Sequence, residues 1–75
     1  MNQAIIINDD YEFNHNKQYW QCSAMLSGEK VIIIINSSVS SNELTQAIKF
    51  DWEYVIEEWF EENEPNNNTV EITIK

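Results

Sequence analysis

The side chains able to do chemistry are few and do not group. His15 is the single histidine and stands in Asn14-His15-Asn16-Lys17, a polar turn, where it reads as a solvated turn residue. Cys22 is the single cysteine and alternates with core-type residues. Nucleophilic catalysis needs a base within hydrogen-bond reach of the nucleophile. No base neighbours Cys22 in the chain, so it reads as a buried, inert thiol. Asp9-Asp10-Glu12 and Glu61-Glu62-Glu64 supply hard oxygen donors, but the spacing and glycine of a calcium loop are missing. There is no glycine-rich phosphate loop, zinc spacing or nucleophile elbow. The expectation is a non-enzyme with no catalytic residue, metal or cofactor.

What the chain does concentrate is negative charge. It carries 13 acids against four lysines and no arginine, a formal net charge of −9. No cation occurs between Lys49 and Lys75, while Asp51, Glu53, Glu57, Glu58, Glu61, Glu62 and Glu64 crowd that stretch. A basic patch that would release counterions from phosphates is absent, which argues against direct nucleic-acid binding. An anionic membrane surface would repel such a chain, and a basic protein would attract it. Aromatic residues among the acids have the composition of a hot spot with a charged surround. The expected partner-binding set is Glu53, Tyr54, Glu57, Glu58, Phe60, Glu61, Glu62 and Glu64, facing a basic partner. In its most concrete form the partner is a nucleic-acid-binding protein, and the acidic helix mimics nucleic acid, as a bacterial or phage-type inhibitor would. The competing readings are a face kept acidic for solubility, and a structural homodimer through the strand Val31–Ile35.

These residues need a helix to position them, and Ser40 to Pro65 is the longest continuous pattern in the chain. Ser40-Ser41-Asn42-Glu43 has the form of a capping box. Leu44, Ala47, Ile48, Trp52, Val55, Ile56 and Trp59 recur at steps of three and four, the spacing of one apolar helix face. Asp51 interrupts that stripe and predicts a kink or a break. Phe50, Tyr54 and Phe60 fall towards its flanks or beyond. Pro65 ends the helix. Glu53–Glu57, Glu57–Glu61 and Glu58–Glu62 are like-charge pairs four apart, each costing about 0.2–0.5 kcal/mol.

Strands are predicted over Ala4–Asn8, Tyr11–Phe13, Gln18–Leu26, Val31–Ile35 and Thr69–Lys75. Trp20, Cys22, Ala24 and Leu26 share one face of the third, with Tyr19, Gln21, Ser23 and Met25 on the other. Ser27-Gly28-Glu29-Lys30 is the hairpin loop, with the chain's one glycine where a positive φ is needed. Val31–Ile35 is apolar at every position, as suits a central strand. The last strand is expected beside one of the N-terminal strands. The sum is one α+β domain over residues 1–75, with a small antiparallel sheet of about four strands and a long acidic helix on one face.

The order of strand, hairpin and helix resembles a small bacterial family, the domain of unknown function numbered 1488. The resemblance runs from Met1-Asn2-Gln3-Ala4-Ile5-Ile6 through Tyr19-Trp20-Gln21-Cys22-Ser23-Ala24, Gly28 and the isoleucine strand. It resumes at Phe50-Asp51, the acidic helix and Val70–Ile74. It departs at Phe13, where tryptophan is expected, and in a shorter stretch between Val39 and Phe50. The resemblance implies a small α+β fold and no activity. One unpaired cysteine and no signal-type or spanning apolar run lead to the expectation of a cytoplasmic protein.

Overall fold

Five strands and one helix follow one another in the computed structural model, which describes residues 5–74. They are β1 (Ile5–Ile7), β2 (Glu12–Asn14), β3 (Tyr19–Leu26), β4 (Glu29–Asn36), α1 (Gln46–Glu62) and β5 (Thr69–Thr73). The hydrogen-bonded order is β1-β3-β4-β5, with β2 paired to β3 further along the edge that β1 occupies. The fold is α+β, a mostly antiparallel sheet with the helix on one face.

The β3–β4 hairpin is the centre of the sheet. Its loop is only Ser27-Gly28, both at positive φ (52° and 86°), so the flanking strands reach closer to the turn than the sequence suggests. Two consecutive left-handed residues match the right-handed twist of a hairpin. Register then puts Trp20, Cys22 and Ala24 on the face shared with Val31, Ile33 and Ile35. Those six, with Val70 and Ile72 of β5, form the sheet's half of the core. The alternation read from the sequence places Trp20, Cys22, Ala24, Val70 and Ile72 correctly; the uniformly apolar Val31–Ile35 gave no face, and the structure buries Val31, Ile33 and Ile35.

The last strand does not return beside the N-terminal strands. β5 runs parallel to β4, with Ile33 opposite Val70 and Ile35 opposite Ile72. Parallel neighbours cannot be joined by a tight turn and need a crossover, and α1 is that crossover. The β4–α1–β5 segment is therefore a βαβ unit grafted on an antiparallel meander, and β4 is covered by neighbours on both sides.

Helix α1 is shorter than expected. Glu43 does reach back to the Ser40 N–H (3.0 Å), and the Glu43 N–H donates to the Ser40 carbonyl (3.0 Å), but this closes an isolated turn. The helix starts after Thr45, whose Oγ1 accepts from the Ile48 N–H (3.2 Å). It runs unbroken through the exposed Asp51, so the predicted break into two helices is absent. Its buried ladder is Trp52, Ile56 and Phe60, one residue every turn. Ile48, Val55 and Trp59 are half-buried beside it and Ala47 is exposed, so the core stripe is rotated from the expected one towards Phe60.

The edge strand beside β3 is bulged. Ile7 pairs with Ala24 and Glu12 with Gln21, so residues 8–11 stand opposite 22 and 23. A bulge of this kind re-aims side chains and interrupts the ladder. Here it turns Tyr11 under the helix, with its ring 5.8 Å from that of Trp52, which in turn meets Trp20 at 5.9 Å. The Trp20 indole N–H donates to the Val39 carbonyl (3.0 Å), tying the stretch that leads into the helix to the core.

The gap in the ladder is filled by a side chain. The Ser23 N–H donates to Asp10 Oδ1 (2.9 Å), the Ser23 hydroxyl donates to Asp10 Oδ2 (2.5 Å), and the Asn8 amide donates to Ser23 Oγ (3.0 Å). Asp10 thus stands in for a strand carbonyl. Burial opposes its ionisation, but the hydrogen bonds from Ser23, helped by the charge of Lys30, outweigh it and hold its pKa below the ordinary value. A depressed carboxyl stabilises the fold above its unfolded pKa, about 3.9, and loses that contribution as pH falls through its folded value. Asp10→Ala leaves the buried Ser23 N–H unpaired and should cost about 1–3 kcal/mol at neutral pH. In urea unfolding at falling pH, the gap between wild type and variant should narrow below about pH 4. A gap that stays constant with pH would contradict this role for the carboxylate.

Candidate docking surface

The helix turns one face to the sheet and the other to solvent. Opposite the buried ladder, its 3.6-residue period brings Phe50, Tyr54, Glu57, Glu58 and Glu61 to the solvent side. Phe50 is 60% and Tyr54 68% exposed, although both are large and apolar. They stand one turn apart, where residues four apart are neighbours. An exposed pair of rings on a domain of this size is the kind of feature that marks an interaction surface.

The predicted partner-binding residues divide into three groups. Tyr54, Glu57, Glu58, Glu61 and Glu62 are exposed on the helix, as expected. Glu64 is exposed as well, but it lies beyond the helix end, where the chain turns extended at Asn63. Glu53 is half-buried on the flank, close enough to Tyr11 and Cys22 to act on both. Phe60 is a correction. It is 3% exposed, the last rung of the core ladder, and no partner can reach it as an anchor. Phe50 is an exposed ring on the helix instead. Its signal was available in the sequence as a ring four residues before Tyr54.

The charges on this face are unopposed. Among the described residues the ion pair is Lys49 to Asp9 (3.1 Å), with the Lys49 ammonium also over the Tyr11 ring (5.7 Å). No helix glutamate has a cation within ion-pairing distance among the described residues. The last turn of α1 holds no basic residue, although the negative end of the macrodipole favours one. What satisfies that end is neutral: the Asn63 side-chain amide donates to the Trp59 carbonyl (3.0 Å).

The other candidate groups are kept apart. His15 is exposed in its turn, edge-on to Phe13 at 4.9 Å, while Cys22 is buried under the helix. Burial first, then the charges of Asp10 and Glu53, push the Cys22 thiol up to about 12. A native-state thiol reagent should therefore leave Cys22 unmodified and react with it fully in urea; rapid native labelling would contradict the placement. Tyr11 is likewise pushed well above its ordinary value, by burial first, and its buried hydroxyl has no hydrogen-bond partner among the described residues. Among the described residues, no three His, Cys, Asp or Glu side chains are placed to hold a metal. No helix among them is long and apolar enough to cross a membrane.

Comparison with known proteins finds no matching family model, curated protein or solved structure.

Proposed function

We propose that this chain is a small non-catalytic interaction protein that docks the outward face of α1 on a basic protein. The observation that carries the proposal is one helix face bearing both Phe50 and Tyr54, exposed, and carboxylates that no cation of the described residues neutralises. The rings supply apolar anchors and the carboxylates supply steering and specificity.

The preferred partner is a nucleic-acid-binding protein. Glu57, Glu58, Glu61 and Glu62 lie exposed within about 7.5 Å along the helix axis, given a rise of about 1.5 Å per residue. The helix thus offers a phosphate-binding groove a dense strip of negative charge beside two exposed rings. Membership of the small family that the sequence resembles belongs to this proposal and adds no activity to it.

The test is affinity capture from bacterial lysate with the tagged protein, washed at rising salt. A basic nucleic-acid-binding protein held at low salt and released at high salt supports the proposal. Recovery of the bait alone at both salts counts against it.

A second reading rests on the uncovered sheet face. Ile6 is 67% exposed there, beside the half-buried Met25, Ile32 and Ile34. A homodimer through the open face of β4 would cover them. Its signature is a salt-independent dimer in native mass measurement that Ile32→Lys or Ile34→Lys dissociates.

A further inference from the structure

The two edges of the sheet are built differently. The β1/β2 edge is broken by the bulge at residues 8–11 and closed by Asp10. The β5 edge is protected only at its start, where the outward Thr69 N–H donates to the Asn66 carbonyl (3.1 Å): beyond it Thr69–Thr73 is regular, without proline, lysine or bulge, its one charge is Glu71, and no described strand pairs with its outer side. Native sheets normally blunt an edge of this kind, because its free N–H and carbonyl groups template another strand.

The direction of those groups follows from the bonds to β4. The Ile32 N–H donates to the Asn68 carbonyl (2.9 Å) and the Ile74 N–H donates to the Asn36 carbonyl (2.8 Å). Even-numbered positions of this strand therefore face inward, and by alternation the N–H and carbonyl groups of Glu71 and Thr73 face outward. The side chains of Thr69, Glu71 and Thr73 lie on the open face of the sheet, away from the helix.

We propose that the outer edge of β5 takes an extended segment of a partner protein as an additional antiparallel strand, reading an apolar residue and, two positions later, a cationic one. Antiparallel addition is the slightly stronger pairing and presents a partner side chain directly opposite each outward residue, on the same face. The residue opposite Glu71 meets its carboxylate, one oxygen of which accepts from the Asn36 amide (2.7 Å), so a lysine or arginine suits it. The residue opposite Thr73 comes two positions earlier in the partner and lies beside a largely apolar depression of about 440 Å³, lined by Asn36, Ser37, Ser38, Thr73 and Ile74. A second copy of the chain suits this edge poorly. It brings another net charge of −9, and in the fully overlapped register it sets Glu71 against its mate.

The test is a random-peptide display library panned on the immobilised protein. Recovered peptides should share an apolar residue, any residue, then lysine or arginine, and binding should slow hydrogen exchange at the Glu71 and Thr73 amides. Thr73→Pro removes one outward N–H without touching the ladder to β4 and should weaken those peptides at least about tenfold, about 1.4 kcal/mol. Thr73→Ala, which keeps the outward N–H and trims only the side chain beside the depression, should weaken them clearly less than Thr73→Pro does. Glu71→Lys, which keeps the backbone intact, should shift the recovered peptides from cationic to acidic at that position. Failure to enrich any such peptide, or equal binding by a folded Thr73→Pro variant, overturns the proposal. Neither result bears on the helix face, whose carboxylates this test leaves untouched.

Discussion

Phe60→Ala is expected to destabilise the fold by about 3–5 kcal/mol, the range for an aromatic deleted from a packed core. Phe60 closes the ladder of Trp52 and Ile56 against the sheet, and Trp59 packs edge-on to its ring at 4.9 Å. A chain of 75 residues has a total stability of about 4–11 kcal/mol, so the variant should lose from about a quarter to all of it. The same truncation at Phe50 or Tyr54 should shift stability by only about 0.5 kcal/mol, because their rings are already in water. Urea unfolding followed by tryptophan fluorescence separates the cases. A stable Phe60→Ala protein that had lost its partner would return Phe60 to the role of anchor.

The second large effect is on charge. Changing Glu57, Glu58, Glu61 and Glu62 together to glutamine removes the like-charge pairs Glu53–Glu57, Glu57–Glu61 and Glu58–Glu62. At about 0.2–0.5 kcal/mol per pair, the folded protein should gain about 1 kcal/mol. Relief at the negative end of the macrodipole acts in the same direction. Glutamine keeps helix propensity close to that of glutamate, so the fold is retained. Partner affinity should move the other way. Four charge contacts of about 0.7 kcal/mol each correspond to about a hundredfold loss. A variant that is more stable and less functional is the pattern of a surface kept at a cost for binding. Acids serving only solubility would give the gain in stability and no loss of binding.

The parts of the fold legible in the sequence are those with a short period and one solvent face. Trp20-Cys22-Ala24 and Val70-Ile72 alternate cleanly, and the structure buries each of them. The helix was legible in existence and in its exposed acids, but not in its start or its rotation. Ser40-Ser41-Asn42-Glu43 makes only one bond of a capping box, Glu43 to the Ser40 N–H, while the Glu43 N–H goes to the Ser40 carbonyl; the chain there is still crossing from the sheet to the helix, and Thr45 provides the cap. The expected stripe of Leu44, Ala47, Ile48, Trp52, Val55, Ile56 and Trp59 holds two of the three buried helix residues, Trp52 and Ile56, but leaves out the third, Phe60. That rotation is small, but it decides whether Phe60 is an anchor or a core residue. The place of β5 was not legible, because Val70 and Ile72 would alternate in the same way beside any strand. The Asp10–Ser23 link left no sequence signal, since an aspartate in a polar run is ordinary turn chemistry.

If the exposed face of α1 is the working surface, the captured basic partner should bind the four-glutamine variant about a hundredfold more weakly than wild type when both are measured side by side at low salt. The wild-type affinity should fall towards the variant's as salt rises. Equal affinities at low salt, with the variant folded, would contradict it.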